Sequence, residues 1–276
     1  VRVVAIHVYP VKSLRGRSVA AAEVEPWGLR HDRRWAVLEP DGTRLSARED
    51  HRLLGLTAAP TESGLEISAP DGRKLDVPTP FEGELVATSI SRLESVRIAD
   101  AHANGWLSNH LGRSVRLAWL DDPRRRSVSA DHGGAPGDSL NLADAGPLLV
   151  TSTASLKQLN DWMVEDAVSR GGETPESMVM ARFRPSVVVD DVQEAFEEDG
   201  WRTFSVGEAE FRFSEHCDRC VMTTLDPDTL VGGKEPLRTL AKHRRWNHKT
   251  WFGIRAIPAH QSTIAVGDSV AVLTRA

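Results

Sequence analysis

Two cysteines, Cys217 and Cys220, are the only ones in a chain of 276 residues. They stand three positions apart in FSEHCDRCVMTTLDPDT, residues Phe213 to Thr229. A structural zinc site needs four ligands, drawn from paired thiolates or from thiolates and imidazoles. His216, Cys217 and Cys220 give at most three, and adjacent His216 and Cys217 are poorly placed to share one ion. No second C-x-x-C or H-x-x-x-H completes the set, so His243 or His248 would have to be brought in by the tertiary fold. A dithiol redox pair sits at a helix N-terminus, which lowers a thiol pKa; here Cys220 precedes Val-Met-Thr-Thr, a β-prone run. Two buried small hydrophobes are a third reading, opposed by the polar neighbours Ser214, Glu215, His216 and Asp218. Arg219, next to Cys220, favours thiolate over thiol. A single activated thiolate suits a soft, high-valent transition metal whose other ligands come from a cofactor.

An anionic cofactor would need cations and hydrogen-bond donors to hold it. The first fifty residues carry Lys12, Arg15, Arg17, Arg30, Arg33, Arg34, Arg44 and Arg48, and ARFRPS adds Arg182 and Arg184. The acidic residues gather later, as in DDVQEAFEEDGW. A solvated basic face explains such clustering as well as an anion site does.

The elements that must position these residues read as mostly strands. RVVAIHVYPV (2–11), SVAAAEVEP (18–26), RRWAVLEP (33–40), GLEISAP (64–70) and KLDVPTP (74–80) are short apolar or alternating runs bounded by Gly, Pro or Asp. Asp41-Gly42 and Asp71-Gly72 mark hairpin turns. SRLESVRIAD and NGWLSNHLGR look briefly helical. Periodicity vanishes from Asp121 to Ser139, which makes that stretch the best domain boundary. Beyond it, STASLKQLNDWM predicts a helix from about Ala154 behind a Ser/Thr cap. ARFRPSVVVDD feeds a buried strand at Ser186–Val189, and AEFRFSEHC a strand with Phe211 and Phe213 inward and the cysteines at its end. EPLRTLAKHRRW predicts a further helix, and STIAVGDSVAVLT a closing strand pair. Asp226-Pro227-Asp228 reads as a tight turn rather than a calcium loop. The fold class is therefore α+β and β-rich, without the rhythm of a doubly wound sheet.

Composition narrows the function classes. A net charge of −5 argues against a general nucleic-acid binder. No apolar run reaches the roughly 18 residues of a membrane span, and the N-terminus lacks a signal peptide's pattern. Two cysteines make no disulfide framework, which points to a reducing cytoplasm.

Six blocks in order resemble the MOSC family, named for the molybdenum cofactor sulfurase C-terminal domain, in its two-part, amidoxime-reducing form. They are YPVKSLRG, GLRHDRRWAVLEPDGTRLSARE, LLVTSTASLKQLN, RFRPSVVV, CDRCVMTTLDPDTL with KEPLRTL, and VGDSV. The resemblance implies an N-terminal β-barrel-like domain over about 1–120 and a MOSC β-barrel domain with peripheral helices over about 121–276, with molybdopterin between them. Cys220 falls on the molybdenum ligand and so carries the catalytic role. Lys12, Ser13, Arg33, Ser152 or Thr153, and Arg184 fall on cofactor-binding positions, with Asp218 and Arg219 flanking the ligand. Two departures stand out: Ser186 replaces a common Asn after FRP, and Asp218 replaces a common Ser. Asp218 adds a negative charge that Arg219 is placed to offset.

The implied activity is reduction of small N-hydroxylated compounds, N–OH to N–H plus water. Neither cysteine is left to bind an iron–sulfur cluster, so electrons are expected from a separate donor protein of ferredoxin, flavin or cytochrome type. The alternative is a non-catalytic cofactor carrier, or a sulfur-handling protein with a persulfide on Cys220.

Overall fold

The computed structural model describes residues 1–276. The chain opens with β1 (Arg2–Val8), β2 (Arg17–Val19), β3 (Ala21–Glu25) and β4 (Gly28–Leu29). Next come β5 (Trp35–Leu38), β6 (Arg44–Leu45), β7 (Thr57–Pro60), β8 (Gly64–Ser68) and β9 (Lys74–Pro78). β10 (Leu85–Ala87), β11 (Ser95–Ile98), α1 (Ala101–Leu111) and β12 (Arg116–Trp119) complete the first half. The second half runs β13 (Leu148–Ser152), α2 (Thr153–Ser169), β14 (Val187–Asp190), β15 (Trp201–Val206) and β16 (Ala209–Asp218). It ends with α3 (Leu237–His243), β17 (Arg245–Trp246), β18 (Lys249–Pro258), β19 (Ser262–Ala265) and β20 (Val270–Arg275). No helix is long and apolar enough to cross a membrane.

The fold is α+β and strand-rich, as the residue pattern requires. One large sheet follows the path β2-β1-β14-β13-β18-β16-β15-β20. Its ends meet: Val270 N–H donates to Val1 C=O, and Val3 N–H to Asp268 C=O, each at 2.9 Å. The curled sheet encloses Val3, Ile6, Val150, Val189, Trp201, Phe204, Phe211 and Ile254. Strand β18 lies in its middle and is buried from Trp251 to Pro258, as strands covered on both faces are.

The other unit combines the five-stranded sheet β10-β11-β12-β5-β6 with the meander β7-β8-β9. In the meander Leu65, Ile67, Leu75 and Val77 point inward with period two. Helix α1 closes this core with Ala103, Leu107 and Leu111. Asp100 caps its N-terminus and Gly112, in the left-handed region, its C-terminus.

Several expectations change. SRLESVRIAD contains strand β11 rather than a helix, because Val96 and Ile98 alternate into a core. The closing strands β19 and β20 do not pair with each other: β19 joins β3, and β20 joins β15. Residues 2–29 lie in sequence with the first unit, but β1 and β2 belong to the large sheet and β3 pairs with β19. The irregular stretch 121–139 is not a free tether, because it carries Arg126 at 2% exposure. That guanidinium donates to the carbonyls of Asn141, of Ala143 at 2.7 Å and of Ser91 at 3.0 Å.

Removing β1 and β3 strips Val3, Ile6, Val8 and Val24 from the large sheet's core. Residues 121–276 expressed alone should therefore show no cooperative thermal transition by circular dichroism, while the full chain does. A cooperative melt of 121–276 would mean that the N-terminal strands are dispensable.

Candidate functional site

Strand β16 leads to the cysteines, and its pairing with β18 slips twice, between Phe213 and Glu215 and between His216 and Asp218. The first slip shifts the alternation, so that Ser214 and Cys217 are buried while Phe213 is only partly so. The second coincides with Gly253, at φ +76, where a Cβ would stand 2.7 Å from the Val150 carbonyl oxygen. Such bulges re-aim a strand's side chains, and here they deliver Asp218, Arg219 and Cys220 to a cleft. Cys217 is buried and Cys220 exposed.

Val-Met-Thr-Thr forms a 3₁₀ turn after Cys220 rather than a strand. Its threonines bond backwards, Thr223 Oγ1 to Cys220 C=O at 3.0 Å and Thr224 Oγ1 to Val221 C=O at 2.8 Å. That local bonding overrides their β propensity. The turn then drives Leu225 into the core of the other unit, with Met222 packed against it. Arg182 clamps the far side, donating to Thr224 C=O at 3.0 Å and to Asp226 at 2.7 Å. Arg15 holds Asp228 at 2.9 Å. The Asp226 carboxylate accepts the Asp228 and Thr229 N–H groups, which makes the Asp-Pro-Asp segment a side-chain-capped turn.

The cleft wall includes Lys12, Ser13, Arg33, Arg184, Asp218, Arg219 and Cys220. The structure thus brings together seven of the residues that the sequence nominated. Arg48, Asp144, Arg182, Arg255 and Cys217 also line it. Seven cationic side chains face two carboxylates in a protein whose net charge is negative.

Arg33 and Arg184 converge on Tyr9, the chain's one tyrosine, at 4.6 and 4.3 Å from its ring centroid. Arg33 is paired with the fully buried Asp32 and donates to Arg184 C=O at 3.3 Å. Arg184 has no carboxylate partner; it donates to Leu14 C=O at 2.7 Å. Burial lowers its pKa to about 10, which leaves it charged at neutral pH. Burial likewise raises the Tyr9 phenol to about 12. Ser13, Arg33 and Arg184 all hold positive φ, at 72°, 47° and 55°. Non-glycine residues are rare there, and such strained backbone clusters at ligand sites. Gly16 makes room for the ring, since a Cβ would fall 2.2 Å from Tyr9 Cε1.

Lys12 is 9% exposed and donates to Leu142 C=O at 2.7 Å and Asp144 at 2.6 Å. Burial, only partly offset by Asp144, lowers its pKa to about 8. In return Lys12, followed by Arg44, holds the Asp144 carboxyl well below the usual range.

Arg219 does not turn toward Cys220. Its Nη1 lies 2.8 Å from Cys217 Sγ, its Nη2 donates to Phe183 C=O at 2.7 Å, and its buried Nε has no partner. Nor does Arg219 offset Asp218; Arg255 Nη2 does, at 2.8 Å, with Lys249 at 3.6 Å. Asp218 is accordingly held below its ordinary pKa by Arg255 against the opposing pull of burial. Arg255 escaped the sequence reading, although one arginine inside the apolar run KTWFGIRAIP was a signal of a buried charge partner. Asp144 gave no signal of its own.

Three nominated residues lie off the cleft wall. Ser152 is the N-cap of α2, accepting from Ser155 N–H and donating to buried Glu198 at 3.0 Å. Thr153 donates to Asp190. Ser186 accepts from Leu149 N–H at 3.2 Å inside the sheet. His216 is packed against Phe213, Trp246 and Trp251, surroundings of a structural imidazole rather than a metal ligand.

Comparison with known proteins agrees with this architecture. Residues 1–114 match the MOSC N-terminal beta barrel domain and residues 137–271 the MOSC domain. The chain is 31% identical over 287 residues to mitochondrial amidoxime-reducing component 1 of Homo sapiens, covering 96% of this chain and 81% of that protein. It is 32% identical over 282 residues to human mitochondrial amidoxime reducing component 2, with 95% and 81% covered. Molybdenum cofactor sulfurase of Danio rerio is 28% identical over 267 residues, 93% of this chain but 32% of that protein.

Two outcomes follow from the geometry. Ser152→Ala removes a helix cap, so urea unfolding should show a loss of about 1–2 kcal/mol with anion binding intact. An unchanged midpoint with lost anion binding would return Ser152 to the cleft. Lys12 sheds its charge as pH rises through about 8, so sulfate, a dianion at both pH values, should bind more weakly at pH 9 than at pH 7 when measured by calorimetry. Lys12→Arg should flatten that dependence, and equal affinities in the wild type would remove Lys12 from the anion site.

Proposed function

The chain belongs to the MOSC family, carrying both its N-terminal beta barrel domain and its MOSC domain, and on that premise we propose that it is a molybdenum-cofactor-dependent reductase of N-hydroxylated compounds. The observation that carries this reading is a single cleft holding an exposed thiol, Cys220, beside cations that no carboxylate neutralises, Arg184 and Arg219 among them. That donor set fits an anionic, phosphate-bearing group with a soft metal. Bound there, a molybdenum–pterin cofactor would supply two-electron chemistry with oxygen-atom uptake, which no side chain offers.

The chain's own residues do the rest. Cys220 would hold the metal, with its turn pinned by Leu225 and Arg182 so that the thiol stays at the cleft. Lys12, Ser13, Arg33 and Arg184 would hold the cofactor. Positive-φ backbone presets Ser13, Arg33 and Arg184, Tyr9 holds the two arginines, and Leu142 C=O with Asp144 holds Lys12, which keeps the ordering cost low. Arg219 ties Cys217 and the Phe183 carbonyl together and so fixes the approach of the chain to Cys220. Arg255 balances Asp218. Loss of an N-bound oxygen as water takes two electrons and two protons. We take the electrons to come from a separate donor protein of ferredoxin, flavin or cytochrome type, because both cysteines line this one cleft.

Protein made in a cofactor-competent host should contain molybdenum and pterin. Cys220→Ala should lose molybdenum by about tenfold or more, together with benzamidoxime reduction by a reduced viologen dye, while Cys217→Ser keeps most of its metal. Molybdenum retained in Cys220→Ala would overturn the ligand assignment. Cofactor present without dye-supported turnover would favour a carrier.

A further inference from the structure

The hairpin formed by β17 and the start of β18 is fastened to the chain that leads to Cys220. Arg219 N–H donates to Thr250 C=O at 2.8 Å, and Thr250 Oγ1 donates to Arg219 C=O at 3.3 Å. Asp218 is the register partner of Trp251. The hairpin's root is thus fixed one residue before the exposed thiol, and Val221, one residue after it, is exposed as well. At the tip, Trp246 pairs with Lys249 across the two-residue turn Asn247-His248. Both turn residues hold positive φ, at 49° and 61°, the geometry that matches the twist of a tight hairpin. Trp246 and Trp251 stack at 5.5 Å between centroids, and Trp251 Nε1 donates to Trp246 C=O at 3.0 Å. The Arg244 guanidinium lies 4.8 Å from the Trp246 ring centroid, and Lys249 Nζ 5.6 Å from that of Trp251.

Residues 234–249 carry six cations, Lys234, Arg238, Lys242, Arg244, Arg245 and Lys249, against one carboxylate, in a chain whose net charge is −5. The carboxylates that meet these cations lie beneath them. Lys242 is 60% exposed and its partner Asp166 4%, while Arg238 is 47% exposed and Glu235 13%. Lys234 and Arg245 are exposed and make no ion pair. A partner approaching this hairpin therefore meets positive charge beside a partly exposed tryptophan, Trp246.

Such a surface fits an acidic one, because complementary charge steers the encounter and a rigid aromatic supplies the contact. A lipid surface is a poorer match: an anchoring tryptophan must be free to sit among the headgroups, and Trp246 is held by Trp251 and Arg244. The reaction proposed above takes two electrons per turnover from outside the chain, and the donor's redox centre must come close to Cys220 to deliver them. Building on that reading, we propose that the β17–β18 hairpin is the docking surface for the acidic face of the electron-donor protein. Trp246 makes the contact, and Arg245 and Lys249 steer the approach. Two reduced one-electron carriers dock in turn and give up one electron each; the substrate's N–O bond breaks, and two protons from solvent complete the N–H and the water.

The probe is an acidic two-iron ferredoxin of plant type, used in two ways. Its oxidised form is titrated into the cofactor-free protein by calorimetry, and its reduced form is supplied to the cofactor-loaded protein with benzamidoxime. Arg245→Glu should raise both the dissociation constant and the KM for ferredoxin by roughly fivefold or more. Wild-type affinity should fall as salt rises. Turnover with a reduced viologen dye, which needs no docking surface, should be unchanged in the variant. Arg245→Lys should behave as wild type, and so should Lys157→Glu, the same change of charge on the exposed side of α2. Ferredoxin bound as tightly by Arg245→Glu as by wild type overturns the proposal. An equal loss in Lys157→Glu overturns it too, by reducing the effect to net charge, and so does a parallel loss of dye-supported turnover in Arg245→Glu. Wild type that binds no ferredoxin also overturns it; binding of that protein to vesicles of equal parts phosphatidylcholine and phosphatidylserine would assign the hairpin to a membrane surface instead. Arg245-dependent ferredoxin binding by a protein that shows no molybdenum and no dye-supported turnover would keep the docking surface and sink the reductase reading.

Discussion

Two guanidiniums packed against one aromatic ring repel each other, and the cleft is organised around that repulsion. Arg33 and Arg184 both lie against Tyr9, close enough for a mutual cost of about 2 kcal/mol or more at an effective dielectric near 20. Three features offset it. The ring face attracts each cation, by roughly 0.5–2 kcal/mol. The buried Asp32 neutralises Arg33 and also accepts the Tyr9 N–H at 2.8 Å. The carbonyls of Leu14 and Arg184 each take one further donor, from Arg184 and Arg33 respectively. The result is a positively charged cleft, at the cost of left-handed backbone at both arginines.

The same constraint explains why the cleft lies at a seam. Tyr9, Lys12 and Ser13 come from the segment that leaves β1 and crosses into the other unit, where Val11 bridges to Trp35 and Arg15 to Thr57. Cys220 comes from the opposite direction, at the end of β16, and its turn is anchored in the far core by Leu225. Arg126 fastens the connecting stretch to the wall that carries Asp144. Each unit therefore contributes part of the charge pattern and also part of the packing that orients the other's contribution. A site assembled this way is held rigid by two hydrophobic cores at once.

Much of the element structure was legible because short strands with Asp-Gly turns leave local marks. The alternation of Leu65, Ile67, Leu75 and Val77, the cap at Ser152 and the Asp226 turn are all short-range patterns. Where the reading failed, the deciding contact was remote. Val96 and Ile98 make a strand because they face a core built from distant segments. Thr223 and Thr224 bond back to the carbonyls of Cys220 and Val221, and the turn they make is held where it is by Leu225, packed in a core more than a hundred residues away. Ser152 matched a ligand position in sequence, but its hydroxyl faces Glu198 and the helix end rather than the cleft.

By itself the sequence determined the inventory: one pair of cysteines, a cluster of basic residues within the first fifty of an acidic protein, a strand-rich α+β chain, and six ordered blocks that mark a MOSC protein. These are properties of composition and of spacing along the chain, which folding does not alter. Only the tertiary structure decided which charges face one another. It turned Arg219 to Cys217 rather than Cys220, gave Asp218 to Arg255, and set Asp144 between Lys12 and Arg44. Electrostatic partnership depends on distance in space and on burial, and neither can be read from separation along the chain.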